Sequence, residues 1–329
     1  MAQTAGTTTT YEIGTAGGLR EDLEDKIWDL FADDTWALTN LDRIKANAVY
    51  HEWVMDSLAA AAANRQLEGD AVTYATVTAP IRVGNRCQIS RNAFLVSGTL
   101  EAVAKAGRAR ESARQTVKQM RELKNDMEFA LVRNQDSTQG VFGSARTSAG
   151  MESWIGGATA TQPGNAIPTT VSTAGTSPGF ASGVVSAPTD ATQSACSEGV
   201  LRTALGLAWA DGVDPRVILT NTSTKAVIDG FTGIVTRNVD ISRQQQATII
   251  GAANVYVSSF GVHTVVLHRH VRGVTIMCID PDYWAVAFLR NPFMEQLGKT
   301  GDGHGYMLIS EYTLVSRNQS ANAKIVGVL

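Results

Sequence analysis

Residues 99–134, TLEAVAKAGRARESARQTVKQMRELKNDMEFALVRN, constrain the fold more than any other stretch, because they carry the pattern of one very long helix. The segment has no proline and a single glycine, Gly107. Its apolar positions, Val103, Ala106, Ala109, Ala113, Val117, Met120, Leu123, Met127 and Leu131, step by three or four, which is the spacing of one helical face. Thr99 suits an N-cap, Glu101 puts negative charge in the first turn and Arg133 positive charge in the last, in accord with the helix dipole. At 1.5 Å per residue the rod would be roughly 50 Å long. Gly107, near one end, marks a place where it can bend or be closely approached.

The polar side of this helix interleaves cations with Glu101, Glu111, Glu122, Asp126 and Glu128. Arg110, Arg114, Lys118 and Arg121 step by four, four and three and form a basic stripe. Such a stripe is either a solvated face or a surface that meets acidic neighbours or phosphate. A partner of the right kind lies in residues 19–31, LREDLEDKIWDLF. Its apolar residues fall on one side and Glu21, Asp22, Glu24, Asp25 and Asp29 on the other, the pattern of a short amphipathic helix.

Composition narrows the function. A chain of 329 residues can bury one large core or two modest ones. A net charge of −3 lacks the basic excess of a tight nucleic-acid binder, so contact with nucleic acid would be diffuse. No apolar run reaches bilayer-spanning length, and the start MAQTAGTTTTYEIG lacks the charged and apolar regions of a secretory signal, so a cytoplasmic product is expected. Cys87, Cys196 and Cys278 form no CxxC pair and read as reduced, structural residues.

Residues 1–18 read as an extended arm. Strands are expected at 48–57 and 71–83, joined by an alanine-rich link with turn chemistry at 64–70, and such a hairpin needs something to lie on. At its base, His51, Glu52 and Trp53 lack a nucleophile or second acid, so anchoring is their better role, with Trp53 a candidate hot spot against a neighbour. Residues 84–97 alternate with Cys87, Ile89, Ala93 and Leu95 expected on the inner face. Residues 153–189 contain no Asp, Glu, Lys or Arg and read as a loop, either functional or disordered, that could become ordered against other copies. Helices at 192–210 and 223–231 flank a buried strand at 217–220, and strands follow at 253–259, 264–267, 273–280 and 284–289. The class is therefore α+β. Residues 230–237, GFTGIVTR, form a loop with Phe231 and Ile234 expected to be exposed. GDGHG at 301–305 is followed by no helix and no Lys-Ser/Thr, so it reads as a hairpin turn and not a phosphate loop. His268 and His270, with Asp280 or Asp282, are a weak candidate metal set. No GxSxG, HExxH, Walker A or dinucleotide fingerprint occurs, so no catalytic, cofactor or metal site is assigned.

These features resemble the major capsid proteins of tailed double-stranded DNA bacteriophages with the Hong Kong 97-type fold. The strings HEWVMDSLAA at 51–60, VSGTLEAVAKAG at 96–107 and LGKTGDGHGYMLISEYTLVSRNQSANAKI at 297–325 carry the resemblance in detail. It implies an N-terminal arm (1–47), an extended hairpin loop (48–84), a peripheral domain with the spine helix (85–150 and 306–329) and an axial domain (151–305). It further implies self-assembly through closed hexamers and pentamers into an icosahedral shell. The shell would hold double-stranded DNA weakly and without sequence preference. Portal, scaffolding and decoration proteins are implied as partners, the virion as location, and the host bacterial cytoplasm as place of assembly. Candidate assembly residues are His51, Glu52, Trp53 and Asp56 at the loop base, Arg110, Arg114 and Lys118 on the helix, Phe231, Ile234 and Arg237 at the axial tip, and Lys299 and Asp302 near the 301–305 turn. Some members weld the shell through a loop lysine, but no lysine occurs here between Lys45 and Lys105, so a noncovalent shell is expected. An encapsulin-like compartment is the alternative within the same fold, and a metal-dependent enzyme the alternative outside it.

Overall fold

The computed structural model describes residues 24, 26–30, 34–56, 58, 61–72, 74, 77, 79–157, 166–168, 176–190, 192–231, 254–299 and 301–329. In chain order these form α1 (Trp36–Asn40), β1 (Asp42–Lys45), β2 (Tyr50–Met55), β3 (Ile81–Arg86), β4 (Gln88–Ser97), α2 (Gly98–Ala102), α3 (Glu111–Val132) and α4 (Met151–Trp154). Then come β5 (Ala166–Pro168), β6 (Gly179–Ala181), β7 (Val184–Ser186), α5 (Glu198–Ala210), β8 (Val217–Thr220) and α6 (Thr222–Asp229). The chain closes with β9 (Val255–Ser258), β10 (Gly261–Leu267), β11 (Thr275–Ile279), β12 (Trp284–Gln296), β13 (Gly303–Ser316) and β14 (Ala323–Val326).

Two sheets organise the chain. The first has the order β1-β12-β13-β4, and α3 packs on it. Leu123, Met127 and Leu131 of α3 are buried against Val286, Leu308, Tyr312 and Leu314. Each such side chain contributes roughly 1.5–3 kcal/mol by leaving water. The second sheet has the order β5-β14-β11-β8-β10-β9. Its own core joins Leu201, Ala204, Leu205 and Ala208 of α5 to Ile218, Ile276, Cys278 and Ile325. β12 and β13 pair as the expected hairpin across the GDGHG turn. The boundary expected at 305/306 falls within that hairpin, and β14 joins the second sheet beside β11. The chain therefore crosses between sheets at 280–283 and again at 317–322. Asn322 locks the two crossings together, its Oδ1 accepting from the Asp280 backbone N–H at 3.0 Å and from Trp284 Nε1 at 2.9 Å.

The single long helix expected over 99–134 is interrupted. Residues 103–110 leave helical geometry, with Gly107 at φ +72°, so the glycine sits in a left-handed turn and not inside a rod. The cause lies at the start of α3. Glu101 Oε2 accepts from the backbone N–H of Glu111 at 3.1 Å and of Ser112 at 3.3 Å, and Oε1 accepts from the Ser112 hydroxyl at 2.8 Å. A carboxylate from α2 thus satisfies donors that the first turn of α3 would leave open, and favours the negative charge there. A continuous helix would carry Glu101 about 15 Å away from Glu111 and lose this cap. What remains is a helix of 22 residues, about 33 Å long.

Three further expectations are corrected. Glu24 and residues 26–30 are not helical; among the described residues none covers Trp28 or Leu30, and a short amphipathic helix without packing is marginal. In β4 the inner face is the opposite of the one expected: Ile89 and Leu95 are exposed, while Phe94 stacks on Tyr306 and Val96 is buried. Within the uncharged stretch, Trp154 and Ile155 are buried, and Phe180 and Val185 of the β6-β7 hairpin join the core under the first sheet.

Candidate assembly surface

β2 and β3 pair over six residues, from Tyr50 opposite Arg86 to Met55 opposite Ile81. The foot of this hairpin is heavily secured. Trp53 donates from Nε1 to the Ser316 carbonyl at 2.8 Å and lies 5.4 Å from Trp154, which stacks on Phe180. His51 sits 5.9 Å from Trp53, and partial burial holds its imidazole below the usual pKa. Glu52 pairs with Arg82 across the hairpin at 3.2 Å, and Asp56 is exposed just beyond it. Trp53 therefore anchors the base from within its own chain.

Asn85, which the sequence did not single out, is the strongest of these ties. It is fully buried, donating from Nδ2 to the Leu314 carbonyl at 2.8 Å and to the Ala149 carbonyl and Ser148 Oγ at 3.2 Å. Its Oδ1 accepts from the N–H of Ala149 and of Arg86. Next to it, Gly84 is required by space: a Cβ there would lie 2.8 Å from the Tyr50 ring and 2.9 Å from the His51 carbonyl. An invariant need for glycine and a saturated amide leave no periodic signal to read.

Beyond this foot the described residues leave their apolar side chains to solvent. Strand pairing ends at Ile81, not at residue 71 as expected, and no described residue between 56 and 80 belongs to a strand. Leu58 is 99% exposed, Tyr74 91% and Val77 91%, with Leu67 and Val72 similarly bare. A second projection, residues 137–147, is held by the Thr138/Thr147 and Val141/Ser144 bridges and carries exposed Val141 and Phe142. Exposed apolar side chains concentrated on extended segments are the mark of surfaces made to be covered.

The basic stripe is answered by acids. Arg110 is the exposed N-cap residue of α3, Arg114 pairs with Asp29 at 3.3 Å and Glu111 at 3.7 Å, and Lys118 pairs with Glu122 at 3.7 Å. Asp29 belongs to the acidic N-terminal segment, so acidic segment and basic stripe meet at this pair. Phe231 is not exposed: it follows the last turn of α6, its N–H bonding the Ile228 carbonyl, and lies 8% exposed in the second core. The helix ends so as to turn that side chain inward. Ile234 and Arg237 lie outside the described residues. Lys299 and Asp302 are exposed in the β12-β13 turn.

The candidate metal set is dispersed. His268 Nδ1 accepts from the His270 N–H at 3.2 Å, so Nε2 carries the proton and donates to Glu128 at 2.9 Å. Asp280 and Asp282 instead bind Arg216. Among the described residues no three His, Cys, Asp or Glu side chains come together as a metal site. Burial pushes the thiols of Cys87 and Cys196 up to about 11 and that of Cys278 to about 12, leaving none of them nucleophilic. Glu128, read from the sequence as part of the polar side of the helix, is wholly buried, accepting from the N–H groups of Ala37 and Leu38 as well as His268.

Solved structures of the same fold come from several virus-like particles. A chain of the cyanophage A-1(L) capsid matches with a TM-score of 0.69 at 13% identity, over 97% of this chain and 99% of that one. A chain of the native GTA particle capsid matches with a TM-score of 0.62 at 11% identity, over 95% and 97%. A chain from phage G, in a structure of gp27 major capsid and gp26 decoration proteins, matches with a TM-score of 0.55 at 12% identity over the full length of both. The fold is thus the Hong Kong 97-type expected. No curated protein matches the sequence. Residues 3–329 match the SU10 major capsid protein family, and the chain belongs to that family.

Proposed function

We propose that this major capsid protein closes into hexamers and pentamers that tile an icosahedral shell around double-stranded DNA. The observation that carries the reading is the extended loop: Leu58, Leu67, Val72, Tyr74 and Val77 are bare in the single chain, while the loop's foot is fixed by Trp53 and Asn85. A rigid foot with an apolar reach beyond it serves a neighbouring subunit. Residues 48–84 would lie across that neighbour, the first sheet with α3 would form the peripheral part of the shell, and the second sheet the axial part around the ring centre. DNA contact would be weak and nonspecific, given the net charge and the acids that answer Arg114 and Lys118. Its place is the virion, assembled in the host bacterial cytoplasm. Portal and scaffolding proteins are further partners of the reading, as is a decoration protein of the sort that accompanies the phage G capsid protein. No catalytic role is proposed.

The shell would be held without covalent welding through the loop, since residues 46–104 contain no lysine. Electron microscopy of the purified, concentrated chain tests the proposal. Rings, tubes or shells that fall apart to single chains on boiling in SDS are expected, and a monodisperse monomer under all assembly conditions would contradict it.

A further inference from the structure

Immediately after β10 the chain turns through His268, Arg269 and His270 and joins two other parts of the molecule. His268 is buried, with Nε2 on Glu128 of α3 at 2.9 Å and Asp34 Oδ1 3.7 Å away. Asp34 accepts in turn from the Arg269 backbone N–H at 2.8 Å, while Glu128 accepts from the N–H groups of Ala37 and Leu38 in α1. His270 Nε2 meets Asn125 Oδ1 of α3 at 2.8 Å. Two imidazoles thus tie a turn of the second sheet to the helix on the first and to the segment that leads into α1.

The two rings are coupled through the backbone. The His270 N–H donates to His268 Nδ1 at 3.2 Å, and that bond fixes the tautomer whose Nε2–H reaches Glu128. His270 packs edge-on against Phe129 at 5.7 Å, and the Arg133 guanidinium already lies 4.6 Å over that ring, a fixed cation beside the imidazole. Burial holds His270 below the ordinary histidine value of 6.5; His268 and Arg133 act in the same direction, and Asp34 and Glu128 oppose them. Asp126 of α3 also faces His270, Arg269 is exposed, and Arg272 is engaged by Glu152 and Asp190. From β13, Tyr312 bonds Ser90 and is kept neutral by burial. The unfolded chain therefore takes up the His270 proton at a higher pH than the folded one. The stability carried by the neutral ring is complete above 6.5 and is lost as pH falls below it.

We infer that this joint is a proton-sensitive latch with His270 as its sensor: neutral, it holds the 268–272 turn on α3 and on the start of α1, and acid releases it. A charged His270 leaves Phe129 and Asn125 for water, its N–H withdraws from His268, and the bond from His268 to Glu128 loses the tautomer that makes it. The second sheet and α1 are then freed together from the middle of α3. Every contact in the latch lies within one chain, so the inference stands apart from the shell reading.

Amide hydrogen exchange of the full-length chain tests it, read by mass spectrometry at pH 7 and pH 5 and corrected for the intrinsic pH dependence of exchange. Segments 34–40 and 267–272 are expected to lose about tenfold in protection at pH 5, while α5, which carries no histidine, keeps its own. His270→Gln does not titrate and its amide can still donate to Asn125, so its two segments are expected to lose less than about threefold over the same range. Equal protection of the wild-type segments at the two pH values would overturn the inference. Loosening of α5 in step with them would overturn it too, as a general effect of acid, and so would an undiminished acid response in His270→Gln. The wild-type comparison with α5 decides by itself if the variant does not fold.

Discussion

The foot of the extended hairpin and its reach differ in how they treat polar and apolar groups. At the foot, a buried amide has every donor and acceptor answered, and an indole N–H finds a carbonyl in another strand. Within 14 residues of that foot along the same hairpin, leucine, valine and tyrosine stand in solvent. Water would never select the second arrangement for a chain that works alone, because each of those side chains gives up the free energy of burial. The contrast teaches that the described body of this protein is completed by its own sequence, whereas its extensions leave apolar side chains that, on the proposed self-assembly reading, other copies cover. Substitutions in the body should therefore register in stability, and substitutions in the extensions in assembly.

The largest stability effect is expected at Glu128. Replacing it with leucine strands the N–H groups of Ala37 and Leu38 and the Nε2–H of His268 in the core, at about 1–3 kcal/mol for each unanswered group. A loss of about 3–5 kcal/mol is expected in urea unfolding followed by tryptophan fluorescence; a loss under 1 kcal/mol would remove this residue from the account. Asn85→Ala comes next, at about 2–3 kcal/mol, since the carbonyls of Leu314 and Ala149 and the N–H of Ala149 lose their partner. The same variant should loosen the hairpin foot, read as faster amide exchange in β2 and β3.

A smaller effect, with a sign set by pH, belongs to Lys324. Its side chain is fully buried, donates to the Glu152 carbonyl at 2.7 Å, and burial lowers its pKa to about 8. The folded state therefore resists a charge that the unfolded chain accepts up to the ordinary lysine value near 10.5. This penalty is complete below pH 8 and fades as pH rises from 8 towards 10.5, because the unfolded chain binds the extra proton in that window. Lys324→Met is expected to stabilise the protein by about 1–2 kcal/mol at pH 7, after allowing for the lost hydrogen bond. The advantage should shrink at pH 10. Comparing thermal melting of the two proteins across that range cancels the contributions of the three thiols, and an advantage that grows with pH would contradict the assignment.

What could be read from the sequence was whatever depends on near neighbours. β8 falls at 217–220 as expected, the β12-β13 hairpin closes over the GDGHG turn, and the later half of the spine buries Leu123, Met127 and Leu131 on one face. The interruption before α3 was not legible, because periodicity continues through residues 103–110 and the cap that ends it comes from Glu101, ten residues back. Glu128 and Asn85 looked like ordinary polar positions, and only the arrival of α1 and of β13 makes them interior. The inner face of β4 was misassigned for a related reason: alternation identifies two faces, and which one is covered depends on where α3 lies. Of the candidate assembly residues, His51, Glu52 and Trp53 lie on the strand expected of them and Arg114 and Lys118 on the helix, whereas Asp56 lies just past β2, Arg110 precedes α3 as its N-cap, and Phe231 turns inward with the end of α6.

The division between body and extension is tested most directly by Leu67→Ser, Val72→Ser and Tyr74→Ser in one chain. All three side chains are exposed, so urea unfolding should stay within about 0.5 kcal/mol of wild type. Sedimentation velocity of the two proteins under identical assembly conditions is the decisive measurement. The account predicts large assemblies for the wild type and only single chains or small oligomers for the variant; equal assembly by both would contradict it.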